Sequence, residues 1–377
     1  MLVNPESVQR FVDKQEDVET RIIEAVGKVG PRNIAEISRI TRVHPETIRY
    51  KFGKRFSRLG LRFHAEVDYQ RLGLNLRWGT FQFSPSHYEK APLLFRLLNR
   101  FGYLNYFGKI VPSGHYMARF GVPNRMQKEH EALFSWLMKE GVILGFTLQD
   151  ARISRHVTMS PGFFNFKSGR WEIPWKELRN LPPRPLPVTG RGVKYLKDYD
   201  DLLIMKELQK DSMQHITSIA RKLKINGRTL EYHYRVHVIG QGLVRSYFVR
   251  WAQDTSKTLV HSVALTRLVF HTANGTELRE VQAVVSKIPF LWMEDLMEDG
   301  TYVASMYVPS TDTLSLFGYL NDELGELGPR VETGFVKTSE ASSFTIPYEM
   351  WQNGEWSFEA SKMKAAILKE YHSTPQK

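Results

Sequence analysis

The sequence predicts an α+β fold built twice over, as one helical unit followed by one β-α-β-β-α-β unit in tandem duplication. Two recurrences predict it. Val43-His44-Pro45-Glu46-Thr47-Ile48-Arg49-Tyr50 returns as Ile225-Asn226-Gly227-Arg228-Thr229-Leu230-Glu231-Tyr232, and Gly60-Leu61 returns as Gly242-Leu243, an offset of 182 residues. Farther along, Ser113-Gly114-His115-Tyr116 matches Asp299-Gly300-Thr301-Tyr302, and Gly169-Arg170-Trp171 matches Gly354-Glu355-Trp356. A nearly constant offset over most of a chain is the signature of a repeated module. The composition agrees: 377 residues with 42% apolar side chains are ample for several packed cores.

In the first copy, Val18, Ile22, Ile23 and Val26 repeat at helical spacing, and Gly27 and Gly30-Pro31 stop that helix. Asn33 is placed to cap a second helix that turns Ile34, Ile37 and Ile40 inward. After a tight turn at Thr41-Arg42-Val43, Pro45 suits the first position of a third helix, which runs to about Leu59 with Ile48, Phe52 and Phe56 inward. Gly60 ends it, and Leu61–Val67 alternates like a strand, predicted here as a wing. Three helices and a wing make a winged helix-turn-helix. Strands are then predicted at Leu76–Phe83, Tyr103–Ile110, His115–Val122 and Leu144–Ser154, with helices at His87–Arg100 and Arg125–Gly141. That order is ferredoxin-like. Phe164–Trp171 reads as a small hairpin, and Leu181–Pro187 as a stiff linker.

The second copy repeats the series. Its helices carry Leu202, Met205 and Leu208, then Ile216 and Ile219, and Asn226 caps the third; Leu243–Trp251 is its wing. Val260–Phe270, Glu277–Ser286, Phe290–Met297, Tyr302–Val308, Thr311–Leu324 and Val331–Thr338 repeat the β-α-β-β-α-β order, and Trp351–Trp356 repeats the hairpin before a helix at Ala360–Tyr371. The expected domains are 15–74 and 198–255 (winged helix-turn-helix), 75–160 and 256–340 (ferredoxin-like), 161–197 (hairpin and Pro-rich linker) and 341–377 (hairpin and helix).

The net charge is +12, and it is unevenly spread, with 12 acidic against 4 basic residues between Phe270 and Glu340. The positive charge therefore lies elsewhere, much of it on the two third helices. A major groove admits one such helix, whose outward side chains meet base edges and phosphates. The expected DNA-facing residues of the first copy are Arg42, Thr47, Arg49, Tyr50, Lys51, Lys54, Arg55 and Arg62. Those of the second are Lys224, Arg228, Thr229, Glu231, Tyr232, His233 and Arg235. The faces differ, since Glu46, Arg49 and Lys51 become Arg228, Glu231 and His233, so two half-sites would not be identical. Tyr50 and Tyr232 have a second reading, as residues packed against the wings.

The chain has no cysteine, which excludes disulfides and thiolate zinc sites. No run of 18 apolar residues and no secretory leader is read, so no membrane partner and a cytoplasmic address are expected. No phosphate-binding Gly-rich loop, zinc-ligand spacing or nucleophile–base pair is found, so no enzyme, cofactor or metal is expected. Glu294, Asp295, Glu298 and Asp299 read as a solvated acidic turn.

A winged helix-turn-helix followed at once by a βαββαβ domain resembles the leucine-responsive regulatory protein/AsnC (feast/famine) family of prokaryotic transcriptional regulators. The resemblance rests on Ile34–Ser38, Val43–Ile48, Leu59-Gly60-Leu61, Tyr69–Leu74 and Gly114-His115-Tyr116. It implies a sequence-specific, double-stranded-DNA-binding regulator, here a covalent pseudo-dimer whose ferredoxin-like domains pair within one chain. It also implies further dimerisation between chains and a small-molecule effector. The chain departs from that family where an acidic residue often follows the Gly-x-Tyr turn, since Met117 and Val303 stand there. Two alternatives remain open. The same architecture resembles the siroheme decarboxylases, tetrapyrrole enzymes that use histidines; His115, His130, His261 and His271 are the candidates, and they do not recur at equivalent positions. The other is a protein-interaction adaptor of the transcription machinery, docking through the acidic 270–340 region.

Overall fold

The structure, a computed structural model, describes residues 17–184, 195–251, 263–325 and 330–371. The N-terminal arm, Pro185-Leu186-Pro187 of the linker, His261 and the first residues of the strand expected from Val260 lie outside them.

Helix α1 (Val18–Val29) is capped by Asp17 and buries Ile22, Ile23 and Val26. Helix α2 (Ile34–Thr41) is capped by the Asn33 side chain, which accepts from the Glu36 amide at 3.3 Å. Helix α3 (Pro45–Tyr50) passes into a wider turn at Lys51–Phe56, and Gly60, at φ +72°, ends the segment. The second copy does the same with α6 (Tyr199–Lys210), α7 (Ile216–Leu223) and α8 (Gly227–Tyr232), followed by a wide turn at His233–Ile239. Helices α4 (Ala91–Phe101), α5 (Gln127–Lys139), α9 (Gly275–Val285) and α10 (Thr313–Leu324) alternate with strands, and α11 (Ala360–Ala366) closes the chain.

The expected wings are not hairpins beside their own helices. Strand β1 (Leu61–Val67) pairs antiparallel with β8 (Val244–Trp251) of the other copy, His64 opposite Phe248. That pairing satisfies the backbone N–H and C=O groups along the facing edges of the two strands. Helix α6 lies on β1 and α1 on β8.

Eight other strands make one closed antiparallel sheet. Strands β2 (Leu74–Phe83), β3 (Leu104–Val111), β4 (Tyr116–Pro123) and β5 (Ile143–His156) form one half in the order β3-β4-β2-β5. Strands β9 (Val263–His271), β10 (Leu291–Met297), β11 (Tyr302–Pro309) and β12 (Arg330–Ser343) form the other, in the equivalent order β10-β11-β9-β12. Two seams close the barrel: β5 with β10, Ser154 opposite Asp295, and β3 with β12, Ile110 opposite Val336. The pairing of the two halves expected from the sequence is thus edge to edge.

The two small hairpins, β6 (Phe164–Asn165) with β7 (Arg170–Trp171) and β13 (Trp351–Gln352) with β14 (Glu355–Trp356), turn at Gly169 and Gly354, both at positive φ. Each packs on the opposite half. Trp171 meets Phe290 at 5.1 Å between ring centres, and Trp356 donates Nε1–H to the Leu72 carbonyl at 2.7 Å. Within the described part of the 161–197 segment, Phe163 and Leu178 are buried.

The acidic turn is corrected as well. Glu294 and Asp295 are each 1% exposed, inside β10, which is covered on both faces so that consecutive side chains are buried on opposite sides of the sheet. Glu294 pairs with Arg155 and accepts from the Tyr302 hydroxyl at 2.7 Å. Asp299 does lie in the turn, where it accepts from the Thr301 amide.

Candidate functional site

The β1–β8 ladder lies across the barrel, and between them is a cavity of about 500 Å³. This size suits a ligand of tens of atoms. Both copies build it. β1 supplies His64 and Glu66, and β5 supplies His156; β8 supplies Phe248 and Arg250. Trp78, Asn105, Tyr106, Met117 and Arg119 come from the first half of the barrel, and Leu265, Trp292, Met293 and Ser305 from the second. Lys206, Gln209 and Lys210 of α6, Arg100 of α4 and the 343–350 segment complete the wall.

The wall is aromatic and cationic. The Phe248 ring lies between two imidazoles, 4.1 Å and 5° from His156 on one side and 5.5 Å and 25° from His64 on the other. His156 also meets Trp292 edge-on at 5.0 Å. Arg100, Arg119, Lys206, Lys210 and Arg250 are fixed cations, set against Glu66 and Glu349. Glu66 is already engaged: it accepts from His156 Nδ1 at 2.5 Å and from Arg245 Nη2 at 3.0 Å. Burial alone would raise its carboxyl, but His156, Arg245 and Arg119 together hold it well below the usual carboxylate range. Burial lowers the His64 imidazole, whose Nδ1 meets the Gln209 carbonyl at 2.7 Å; that contact leaves Nε2 as the acceptor.

Several polar atoms of this wall have no hydrogen-bond partner among the described residues: Nε1 of Trp78 and Trp292, the Tyr106 hydroxyl, and Nε of Arg119 and Arg250. A buried donor left unpaired costs about 1–3 kcal/mol. These five are donors, beside an unpaired Asn105 amide that offers both a donor and an acceptor, and they share one cavity with the fixed cations. The arrangement can therefore receive a ligand rich in acceptors and negative charge, with aromatic faces for a flat body.

The residues expected to face DNA divide into two groups. Thr47, Arg49, Tyr50, Lys54 and Arg62 of the first copy are exposed, as are Arg228, Thr229, Tyr232 and Arg235 of the second. Arg42 and Lys224 are exposed too, both in left-handed turns at φ 55° and 57°. Tyr50 and Tyr232 are each 56% exposed, so neither packs against a strand. Arg49 pairs with Glu46, and Arg235 with the half-buried Glu231 at 2.6 Å. Three residues turn away from that face. Lys51 pairs with the buried Glu19, Arg55 reaches Glu19 and the Phe166 carbonyl, and His233 Nδ1 lies 2.9 Å from Asp201. The wide turn that follows each third helix rotates these positions inward, against the first helix of their unit. The surface these residues leave is mixed in charge.

Of the candidate histidines that lie within the described residues, His115, His130 and His271, none lines the cavity. His130 is fully buried among Phe120, Phe134 and Phe358; burial, then Arg77, pushes it down to about 3. His271 pairs with Glu332 at the surface. The cavity histidines, His64 and His156, were missed because each comes to the site on a strand paired with the other copy. The cross-repeat pairing of β1 was the signal needed.

No family model matches the sequence, and no curated protein matches it. Solved structures do match in fold. The siroheme decarboxylase NirDL superposes with a TM-score of 0.55 at 10% identity, covering 93% of this chain and all of that one. Its co-complex with an iron-uroporphyrin III analogue gives 0.54 over the same coverage. An AsnC family transcriptional regulator from Agrobacterium tumefaciens covers 36% of this chain and 90% of its own, with a TM-score of 0.29. The expectation that the chain is no enzyme is overturned at this point. A fold that matches 93% of this chain is one on which a decarboxylase is built.

Proposed function

We propose that the cavity between the β1–β8 ladder and the barrel binds a flat, conjugated polycarboxylate of the tetrapyrrole class, and that the protein removes carboxylate from it as a siroheme-decarboxylase-like enzyme. The observation that carries this reading is the union in one 500 Å³ cavity of stacked aromatic rings, five fixed cations and unpaired buried donors. The full-length likeness in fold to NirDL agrees with it. In such a reaction the bond between a side-chain methylene and its carboxylate breaks, carbon dioxide leaves, and a proton takes its place on the methylene carbon. His156 is suited to deliver that proton. Its Nδ1 is held by Glu66, which fixes the ring and leaves Nε2 as the nitrogen open to a ligand. Arg119 and Arg250 would hold the remaining carboxylates, and Trp78 and Trp292 the rim of the ring.

The test is titration with siroheme and with iron-uroporphyrin III, read by the ligand's absorbance and by quenching of tryptophan fluorescence. Saturable binding at one site per chain is expected, weakened at least tenfold in Arg119→Met and Arg250→Met. Release of carbon dioxide from bound siroheme, lost in His156→Gln while binding persists, would establish the reaction. Absence of saturable binding would overturn the reading.

A second reading is favoured by a separate observation. Thr47, Arg49 and Tyr50 on one third helix with Lys54 just beyond it, and Arg228, Thr229 and Tyr232 on the other, are exposed, with Thr47/Thr229 and Tyr50/Tyr232 at equivalent positions. On this reading two winged helix-turn-helix units, each joined to a ferredoxin-like domain, make a two-headed sequence-specific DNA-binding regulator, and the cavity ligand is its effector. Binding to duplex DNA should then fall steeply with salt. Arg49→Ala and Arg228→Ala should each cost about 1–3 kcal/mol. Genome-wide occupancy without a shared motif would remove it.

A further inference from the structure

Away from the cavity, the second helical unit holds a cluster that its counterpart lacks. In the first copy Lys51 and Arg55 close on the buried Glu19. The 182-residue offset carries these positions to His233, His237 and Asp201. Two fixed cations have become two imidazoles, and a further carboxylate, Asp198, stands at the N-cap of α6.

The geometry of the four groups is close. His233 Nδ1 lies 2.9 Å from Asp201 Oδ1 and 3.9 Å from Asp198 Oδ2; His237 Nδ1 lies 3.1 Å and 3.4 Å from the same two atoms. The imidazole rings are 4.8 Å apart at 81°. One ligand atom from each residue falls within 4.8 Å of every other. Four ligands at the zinc–nitrogen and zinc–oxygen distances of about 2.0–2.1 Å would stand about 3.3 Å apart along tetrahedral edges. Each imidazole nitrogen is already near that distance from the carboxylates.

Charge points the same way. The Asp201 side chain is wholly buried, and Asp198 is half exposed beside it. Among the described residues, the ion-pair partners of both carboxylates are these two histidines and no lysine or arginine. A buried carboxylate needs a compensating charge. Glu19 receives it from Lys51 and Arg55; Asp201 has only groups that are themselves ligands for a divalent transition metal.

We infer that Asp198, Asp201, His233 and His237 form a binding site for one zinc-class divalent cation, which ties α6 to the turn after α8 as the Lys51–Arg55–Glu19 clamp ties α1 in the first copy. The site is independent of the cavity and of either reading of it.

The experiment uses the full-length, tag-free chain, stripped with chelator and titrated with Co(II). One equivalent per chain is expected to give the visible ligand-field bands of tetrahedral cobalt, bleached by one equivalent of Zn(II), with a rise in melting temperature. Asp198→Asn keeps a residue able to cap α6, and His237→Gln keeps a polar side chain; each should weaken Co(II) at least tenfold while circular dichroism stays unchanged. No stoichiometric Co(II) spectrum in the wild-type chain would overturn the site. Equal uptake by wild type and both variants would do so as well, by placing the metal elsewhere.

Discussion

His130 shows what a single buried residue can hide from sequence. Its Nε2 meets the Gly102 carbonyl at 3.2 Å, its Nδ1 has no partner among the described residues, and it sits among aromatic rings that exclude water. The folded protein keeps it neutral to about pH 3, whereas the unfolded chain takes up a proton near 6.5. Its contribution to stability is therefore complete above 6.5 and drains away as pH falls toward 3, at about 1.4 kcal/mol per pH unit. Urea unfolding across this range should show that slope in the wild type and a shallower one in His130→Gln; identical slopes would sink the assignment. At the surface, Tyr50→Ala and Tyr232→Ala should each change unfolding free energy by no more than about 0.5 kcal/mol, because both rings stand largely in solvent. A larger loss would mean that they pack after all. The exposed residues of the third helices were legible, since Ile48 and Leu230 fix which side faces in. Lys51, Arg55 and His233 were not, because the departure from α-helical pitch after Tyr50 and Tyr232 turns them toward buried acids.

Among the elements, the hairpins were read correctly from Ser-Gly and Asn-Gly between aromatic residues, but their destination was not. Each reaches the half of the barrel it does not belong to, a contact that local pattern cannot reveal. The Trp356 indole is 4% exposed and meets Tyr103 and Trp351 as well as the Leu72 carbonyl. Trp356→Ala should cost about 3–5 kcal/mol through the cavity it leaves. Trp356→Phe, which keeps most of the ring but strands the carbonyl, should cost about 1–3 kcal/mol. Chemical denaturation measures both, and a loss under about 1 kcal/mol in the alanine variant would show that the clasp is superficial. Strands β2–β5 and β9–β12 were legible to within a few residues because each is a short apolar, aromatic and β-branched run bounded by turn residues, and several are buried throughout. The partners of β1 and β8 were not, since period-2 alternation says that a strand has two faces and leaves open what covers them.

For the whole molecule, the closed barrel decides how the halves depend on each other. A chain ending at residue 184 would keep β3 and β5 but lose β12 and β10, leaving two bare strand edges and an uncovered β1. Such edges seek partners. The isolated first half should therefore dimerise or aggregate at micromolar concentration, as light scattering would show; a folded, monomeric half would mean that the seams contribute little. The recurrences 182–186 residues apart were legible in the sequence, and the pairing of halves was an expectation drawn from the resemblance. The cavity was not, because it exists only once β1 lies against β8. That ladder has one more consequence, for how the site could arise. His64 and Glu66 stand where the other copy has Ser246 and Phe248. In an assembly of two identical chains every substitution lands twice, and an acid on one wall is answered by the same acid opposite. A single reading frame for both walls removes that mirror, so one side is free to carry an imidazole and an acid while the other carries the flat ring.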